Sequence, residues 1–194
     1  KKNYKVTAVT RNIHTKGYIL KSQANAGWLD IVELNKFNYE KLEKIFKNKD
    51  ICINLIGILN EKNKSSFNNI HSLLPKLLAE LSKENSLSQF IHISALGIEK
   101  AVDSNYALSK LEGEQVVLKN FSKATILKPS IVFGQDDQFS NRLLSLLSIL
   151  PIFPLYFNGK TKFCPIHVSE MCEIILNIIE KNICSDKIEC VGPE

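Results

Sequence analysis

The spacing of apolar and polar positions along this chain switches repeatedly between a period of two and a period near 3.6, and the switches set out the elements. Lys5 to Thr10 is a short β-branched run read as a strand, and Asp30 to Leu34 is a second. Between them lies a connector with Gly17, Gly27 and a helical turn. Tyr39 to Phe46 places Leu42, Ile45 and Phe46 at helical spacing and predicts a short surface helix. Ile51 to Ile56 is nearly all apolar, which predicts a third strand covered on both faces and stopping at Gly57. The strongest helical stripe runs from Phe67 through Ile70, Leu74, Leu78 and Leu81 to Asn85, with Ser65 or Ser66 as its cap. Pro75 falls inside that stripe, so the helix must kink there or start further downstream.

Phe90 to Gly97 reads as a buried strand ending in Ser94, Tyr106 to about Asn120 as a helix, and Ala124 to Lys128 as a strand ending at Pro129 and Ser130. Strands alternating with helices at this spacing predict β-α-β units, hence an α/β fold with a doubly wound, Rossmann-type parallel sheet. From Ile131 the character changes. Gly134 to Gln138 is a polar loop, Arg142 to Leu150 a helix, and Pro151 to Phe157 an irregular apolar segment. Phe163 to Ile166 follows as a short strand, and then a helix capped by Ser169 that carries Met171, Ile174 and Ile178. The expected organisation is a dinucleotide-binding domain over 1–130 and a small, partial carboxyl-terminal lobe for substrate or docking over 131–194. That lobe is expected on the side where open parallel sheets take their ligands.

Composition narrows the class. With 194 residues and 44% hydrophobic content there is material for one ordinary core. A net charge of +5, from 25 Lys and Arg scattered among 20 Asp and Glu, forms no basic block, so no nucleic-acid partner is implied. Cys52, Cys164, Cys172, Cys184 and Cys190 fall at no metal-ligand spacing, and His14, His71, His92 and His167 are isolated, which predicts reduced thiols and no metal site. His92, within an apolar run, is read as a satisfied sheet residue. The chain opens on Lys-Lys-Asn-Tyr without Met and without a signal-peptide pattern. Its longest apolar stretch, Leu143 to Phe157, is too short and too interrupted by proline for a span of about 20 residues. A soluble, cytoplasmic protein is expected.

Candidate chemistry gathers at one place. Tyr106 and Lys110 are four residues apart, so on a helix they share a face with Cβ atoms roughly 6 Å apart. An ammonium beside a phenol favours the phenolate and would bring the Tyr pKa down. With Ser94 at the end of the preceding strand, the set would polarise and protonate a carbonyl while a hydride arrives from elsewhere. The plainer reading is a half-buried aromatic with a solvated lysine. Tyr156 and Lys160 repeat the spacing, yet Pro154 and Gly159 make a helix there improbable.

A doubly wound sheet normally opens with a strand, a Gly-rich turn and a helix that holds the dinucleotide pyrophosphate. No G-x-x-G-x-x-G precedes the Lys5 strand, so the first β-α unit is expected to belong to the natural protein and to be missing from this sequence. Thr10 and Arg11 stand where an NAD binder carries an acidic residue. A guanidinium there pairs with a 2′-phosphate, which favours NADP(H) over NAD(H). Asn35 and Gly57, at strand ends, are candidates for the adenine and the adenosine ribose.

Five segments, Val9 to Asn12, Asn54 to Leu59, Phe90 to Gly97, Tyr106 to Lys110 and Leu127 to Gly134, together resemble the extended and atypical short-chain dehydrogenase/reductases, the NAD-dependent epimerase/dehydratase superfamily. Within it the chain is most similar to the branch holding the NADPH-binding accessory subunit of respiratory complex I and its bacterial relatives. Asp137 to Arg142 and Gly159 to Val168 strengthen that narrower likeness. The resemblance implies a Rossmann fold that binds NADP(H), with Arg11 near the 2′-phosphate, Leu55 and Gly57 on the cofactor, and Tyr106 and Lys110 at the nicotinamide ribose. It also implies that Pro129, Ser130 and Ile131 lie against the nicotinamide. Asn35 replaces the usual acidic residue, which weakens the adenine contact. Two roles follow. One is a non-catalytic NADP(H)-holding subunit or assembly factor that docks on respiratory complex I or its membrane surface, peripheral at the inner face. The other is an active NADP-dependent reductase, epimerase or dehydratase, using Ser94, Tyr106 and Lys110 on a small carbonyl or sugar-nucleotide substrate.

Overall fold

A computed structural model describes residues 3–61, 66–135, 137, 141, 144–145, 148 and 163–193, with the backbone alone at 15, 16, 18 and 23. The chain forms two compact units, one up to Lys49 and one from Asp50 onward.

In the first unit, strands β1 (Val6–Thr10) and β2 (Leu29–Glu33) run parallel, Val6 opposite Leu29 and Thr10 opposite Glu33. The connector between them is a full helix, α1 (Ile13–Gln23), where the sequence pattern indicated one turn. Asn12 starts it by accepting the His14 N–H on its side-chain oxygen (3.0 Å). Gly17 is buried, and a Cβ there would meet Ile31 of β2 at 3.8 Å, an ordinary contact, which places this side of α1 against the strand. Helix α2 (Tyr39–Phe46) has the expected boundaries, is capped by the Asn38 side chain and buries Leu42 and Phe46.

The second unit holds a four-stranded, all-parallel sheet. Its strands are β3 (Ile51–Asn54), β4 (Gln89–Ile93), β5 (Thr125–Pro129) and, beyond a two-stranded parallel pair of β6 (Val132–Phe133) and β7 (Ile166–His167), β8 (Lys187–Cys190). The order is β3-β4-β5-β8, so the end of the chain returns to the main sheet, which the sequence pattern did not indicate. Strand β3 is less covered than its apolar sequence suggested: Ile53 is 39% exposed, and among the described residues β3 pairs with β4 alone.

Alternation along β4 and β5 divides the two faces. Ile91 and Leu127 point to the side covered by α5 (Val168–Glu180), where they pack with Ile166, Met171, Ile178 and Cys190. Phe90, His92 and Lys128 take the opposite face; Phe90 meets Phe121 at the end of α4 (Asn105–Asn120), with ring centroids 6.2 Å apart. Pro75 neither breaks the helical run nor moves its start downstream; it falls where the hydrogen-bond register changes, the backbone being helical on both sides of it. Residues 68–73 form a wider π-helical turn that runs straight into α3 (Leu74–Glu84), and Pro75, which has no N–H to give, stands at the change from one register to the other. The cap of α5 is His167 rather than Ser169: its side chain accepts the Ser169 N–H, and Glu170 reaches back to the His167 N–H (2.9 Å).

The expected segment from Pro151 to Phe157, the Tyr156 and Lys160 pair, Ser65, and most of the helix expected over Arg142 to Leu150 lie outside the described residues. Among the described residues no helix is long and apolar enough to cross a membrane.

Candidate functional site

Because β3, β4 and β5 are parallel, the residues that follow them emerge at one end of the sheet: Leu55 to Gly57, Ser94, and Pro129 to Ile131. That is the end at which open parallel sheets bind ligands. Asn54, buried at the end of β3, shapes the first of these turns. Its side-chain oxygen accepts the Ile56 N–H (3.1 Å) and its amide donates to His92 Nδ1 (3.0 Å). The His92 proton is therefore on Nε2, which is buried with no partner, so this histidine is only half satisfied. Burial, helped by the positive charge of Lys110, pushes the His92 pKa down to about 3. The turn itself is open, with Leu55 67% exposed. The Pro129 to Ile131 turn is fixed from three sides, by the Leu96 N–H on Pro129 O, the Ser130 N–H on Cys190 O and the Ile166 N–H on Ile131 O (all 2.9 Å).

Helix α4 starts one residue before Tyr106, where the Ser104 side chain accepts the Ala107 N–H (3.3 Å). Tyr106 and Lys110 then stand one turn apart, as expected, and both point inward. Lys110 is 5% exposed and its Nζ donates to the carbonyl of Ile93 (3.0 Å). Burial lowers its pKa to about 8, against the opposing pull of Glu114. Gly57 is the complement to that ammonium: a Cβ there would stand 3.3 Å from Lys110 Nζ, so a side chain would crowd it. The expectation that Lys110 lowers the Tyr106 pKa is corrected. Burial holds the phenol above its ordinary value. The ring of Tyr106 sits edge-on to His71 (5.5 Å) and to Phe67 (6.0 Å).

Ser94 follows β4 at the same end of the sheet, beside Glu114 of α4. It is buried, and its hydroxyl donates to Glu114 Oε1 (2.6 Å). The other oxygen of Glu114, a wholly buried carboxylate, lies 3.3 Å from Lys128 Nζ and 3.5 Å from Lys187 Nζ, and Lys128 also pairs with Glu99. Asn54, His71, Glu114 and Lys128 are the residues that sequence reasoning passed over. Asn54, His71 and Lys128 each had one legible signal, a polar group within an otherwise apolar strand or helix face; Glu114, among Glu112, Gly113 and Gln115, had none. Among the described residues no three His, Cys, Asp or Glu side chains gather as a metal site.

In the first unit, Arg11 and Asn35 are exposed just beyond the carboxyl ends of β1 and β2, and the Asn35 amide donates to Glu33 Oε1 (3.3 Å). The parallel β-α-β sheets with their polar groups collected at the strand ends define a Rossmann-type α/β protein. The sequence pattern of the NAD dependent epimerase/dehydratase family matches residues 1–188, and the chain belongs to that family.

Among curated proteins, the NADH-ubiquinone oxidoreductase 40 kDa subunit, mitochondrial, of Neurospora crassa is 27% identical over 177 residues, which is 90% of this chain and 46% of that protein. The ceramide reductase of Caulobacter vibrioides is 26% identical over 129 residues, 66% of this chain and 40% of that one. The chain thus spans less than half the length of these relatives. Among solved structures, the UDP-glucuronic acid 4-epimerase of Bacillus cereus, in complex with UDP-glucuronic acid and NAD, superposes with a TM-score of 0.79 at 21% identity. The superposition covers 98% of this chain and 70% of the epimerase.

Proposed function

We propose that this chain holds a nicotinamide dinucleotide, NADP(H) in preference to NAD(H), and belongs to an accessory or assembly subunit of the respiratory NADH:ubiquinone oxidoreductase, peripheral at the inner face of its membrane. The donor set fits such a ligand. Gly57 leaves room beside the Lys110 ammonium, and Tyr106 and Lys110 supply two donors of the kind that hold a ribose. A bound nicotinamide dinucleotide brings hydride-transfer chemistry; what this chain contributes is binding and orientation. Leu55 and Gly57 would line the cofactor, and Pro129 and Ile131, held by three backbone hydrogen bonds, would offer a fixed wall to the nicotinamide. Arg11 would pair with the 2′-phosphate and Asn35 would approach the adenine. Residues 131–194 would add the substrate or docking side. The glycine-rich turn that receives a pyrophosphate in this fold is not in the sequence, so no residue is assigned to that contact.

The observation that carries a holding role over a catalytic one is the state of the proton-handling groups. The Ser94 hydroxyl is donated to Glu114, and burial raises the Tyr106 pKa rather than lowering it. A general acid working near neutral pH needs the opposite tuning. Similarity to an oxidoreductase subunit supports the same reading. A second reading, an active NADP-dependent reductase, epimerase or dehydratase on a small carbonyl or sugar-nucleotide substrate, is favoured by the intact Tyr106 and Lys110 pair and by similarity to a ceramide reductase.

Titration of the whole protein with NADPH and NADH tests the cofactor. Tighter NADPH binding is expected, and Arg11→Ala should weaken NADPH relative to NADH by roughly 1.5–3 kcal/mol. Equal losses for both would remove the 2′-phosphate role. For the chemistry, Tyr106→Phe is expected to leave no measurable turnover to lose; a fall of about 10²–10⁴-fold in a reductase assay would establish the second reading instead.

A further inference from the structure

His71 sits where the π-helical turn of residues 68–73 crosses α4, and it is 1% exposed. Both ring nitrogens are engaged. Nε2 accepts the backbone N–H of Ile58 (3.0 Å), which places the ring proton on Nδ1, and Nδ1 donates to Ser109 Oγ (2.8 Å). Ser109 in turn donates to the backbone carbonyl of Tyr106 (2.7 Å). The ring is stacked on Phe67 at 5.4 Å and edge-on to Tyr106, and its Nε2 lies 3.7 Å from where a Cβ on Gly57 would stand. One side chain therefore joins three elements: the turn after β3, the π-helical turn and the first turns of α4.

We infer that His71 is a positioning residue: it fastens the Leu55 to Ile58 turn to the helix that carries Tyr106 and Lys110, so that the turn and the helix present their donors in one fixed geometry. This rests on the reading that those elements hold a nicotinamide dinucleotide. Asn54 shapes the near end of this turn from its own strand, through the Ile56 N–H (3.1 Å), and His71 ties the far end, through the Ile58 N–H (3.0 Å), to the helical side, while Leu55 between them is 67% exposed. The ring does not serve as a proton carrier. Its two nitrogens are committed, and burial together with the Lys110 charge holds its pKa at about 4, so it stays neutral through the physiological range. Protonation at Nε2 would set an N–H against the Ile58 N–H and release the turn.

The two ties are separable. Counting bonds from Cβ, the amide of asparagine stands where Nδ1 stands and the amide of glutamine where Nε2 stands. His71→Gln keeps an acceptor for the Ile58 N–H and loses the bond to Ser109; His71→Asn keeps the Ser109 bond and loses the turn; His71→Ala loses both. The whole protein and each variant are titrated with NADPH, with Tm and hydrogen exchange of the Ile58 amide measured in parallel. His71→Gln is expected to recover most of the affinity, within about threefold of wild type. His71→Asn and His71→Ala are expected to lose about tenfold or more, the scale of one hydrogen bond to the backbone. Ile58 exchange should be slow in wild type and His71→Gln and fast in the other two. A loss of affinity that is equal in Gln and Asn, or that follows Tm alone, overturns the inference while leaving the functional reading standing. If His71→Asn and His71→Ala do not fold, His71→Gln decides alone: retained affinity supports the tie to Ile58, and a tenfold loss overturns it. A wild-type protein that binds neither NADPH nor NADH overturns the functional reading and this inference with it.

Discussion

Gly113 stands in the middle of α4, where general helix energetics and this structure make opposite predictions for alanine. In a helix interior, Gly→Ala ordinarily stabilises by about 0.5–1 kcal/mol, because glycine loses more backbone freedom on folding. Here a Cβ at position 113 would lie 2.1 Å from the carbonyl oxygen of His71 and 3.3 Å from its carbonyl carbon. Against the roughly 3.5 Å of ordinary contact the overlap exceeds an ångström, and its partner is backbone rather than the end of a flexible side chain. Either α4 or the π-helical turn must shift. Overpacking of this kind costs about 1–3 kcal/mol, more when backbone resists, so the clash outweighs the propensity gain and Gly113→Ala is expected to destabilise by about 1–2 kcal/mol or more. At this chain length that corresponds to a fall in Tm of about 2–8 °C. The same shift would carry Tyr106 and Lys110 away from the Leu55 to Ile58 turn, so NADPH affinity should fall as well. Urea unfolding followed by circular dichroism, with a parallel ligand titration, measures both. A variant as stable as wild type or more so would show that α4 does not press on His71 as described.

Acid should weaken the second unit through its buried histidines. Burial depresses His71 from 6.5 to about 4 and His92 from 6.5 to about 3, so the unfolded chain takes up their protons first as pH falls. Their contribution is complete above about pH 6.5 and is lost as pH falls through about 4 and then 3. For His71 it is on the order of 3 kcal/mol. Urea midpoints between pH 7 and 4 should fall in wild type and fall less steeply in His92→Asn; parallel slopes would refute the assignment. Removing the buried carboxylate by Glu114→Leu leaves the Ser94 hydroxyl without its acceptor and Lys128 with the half-exposed Glu99 alone, and should cost about 1–3 kcal/mol, whereas Glu114→Leu combined with Lys128→Met should recover part of it. Additive losses in that double-mutant cycle would deny the pairing.

Much of the second unit could be read from the chain because its strands are short apolar runs whose side chains are buried, as in β4 and β5. A disturbance at Pro75 was also legible, since the residue lacks a donor, but its form, a π-helical turn running into α3 rather than a later start, was not. Helix α1 was not, because its sequence shows only a weak apolar period and two of its signals are small, the Asn12 side chain at its start and the buried Gly17. Strand β8 was hidden by polar Lys187 and Glu189, with Cys190 its one buried residue. At the site, the four-residue spacing put Tyr106 and Lys110 on one face of a helix, as expected. Spacing carries no information about partners, so it could not reveal that Lys110 turns to the Ile93 carbonyl, that Ser94 turns to Glu114, or that burial drives the phenol pKa upward. Those partners lie on elements distant in sequence and come together only when the sheet forms.

The central claim is that the face of α4 bearing Tyr106 and Lys110, together with the Leu55 to Ile58 turn, receives the ribose of a nicotinamide dinucleotide. A crystal structure of the whole protein grown with NADPH tests it directly. The account predicts nicotinamide-ribose hydroxyls within hydrogen-bond distance of the Tyr106 hydroxyl and Lys110 Nζ. A dinucleotide bound elsewhere on the protein, with Tyr106 and Lys110 untouched, would contradict it.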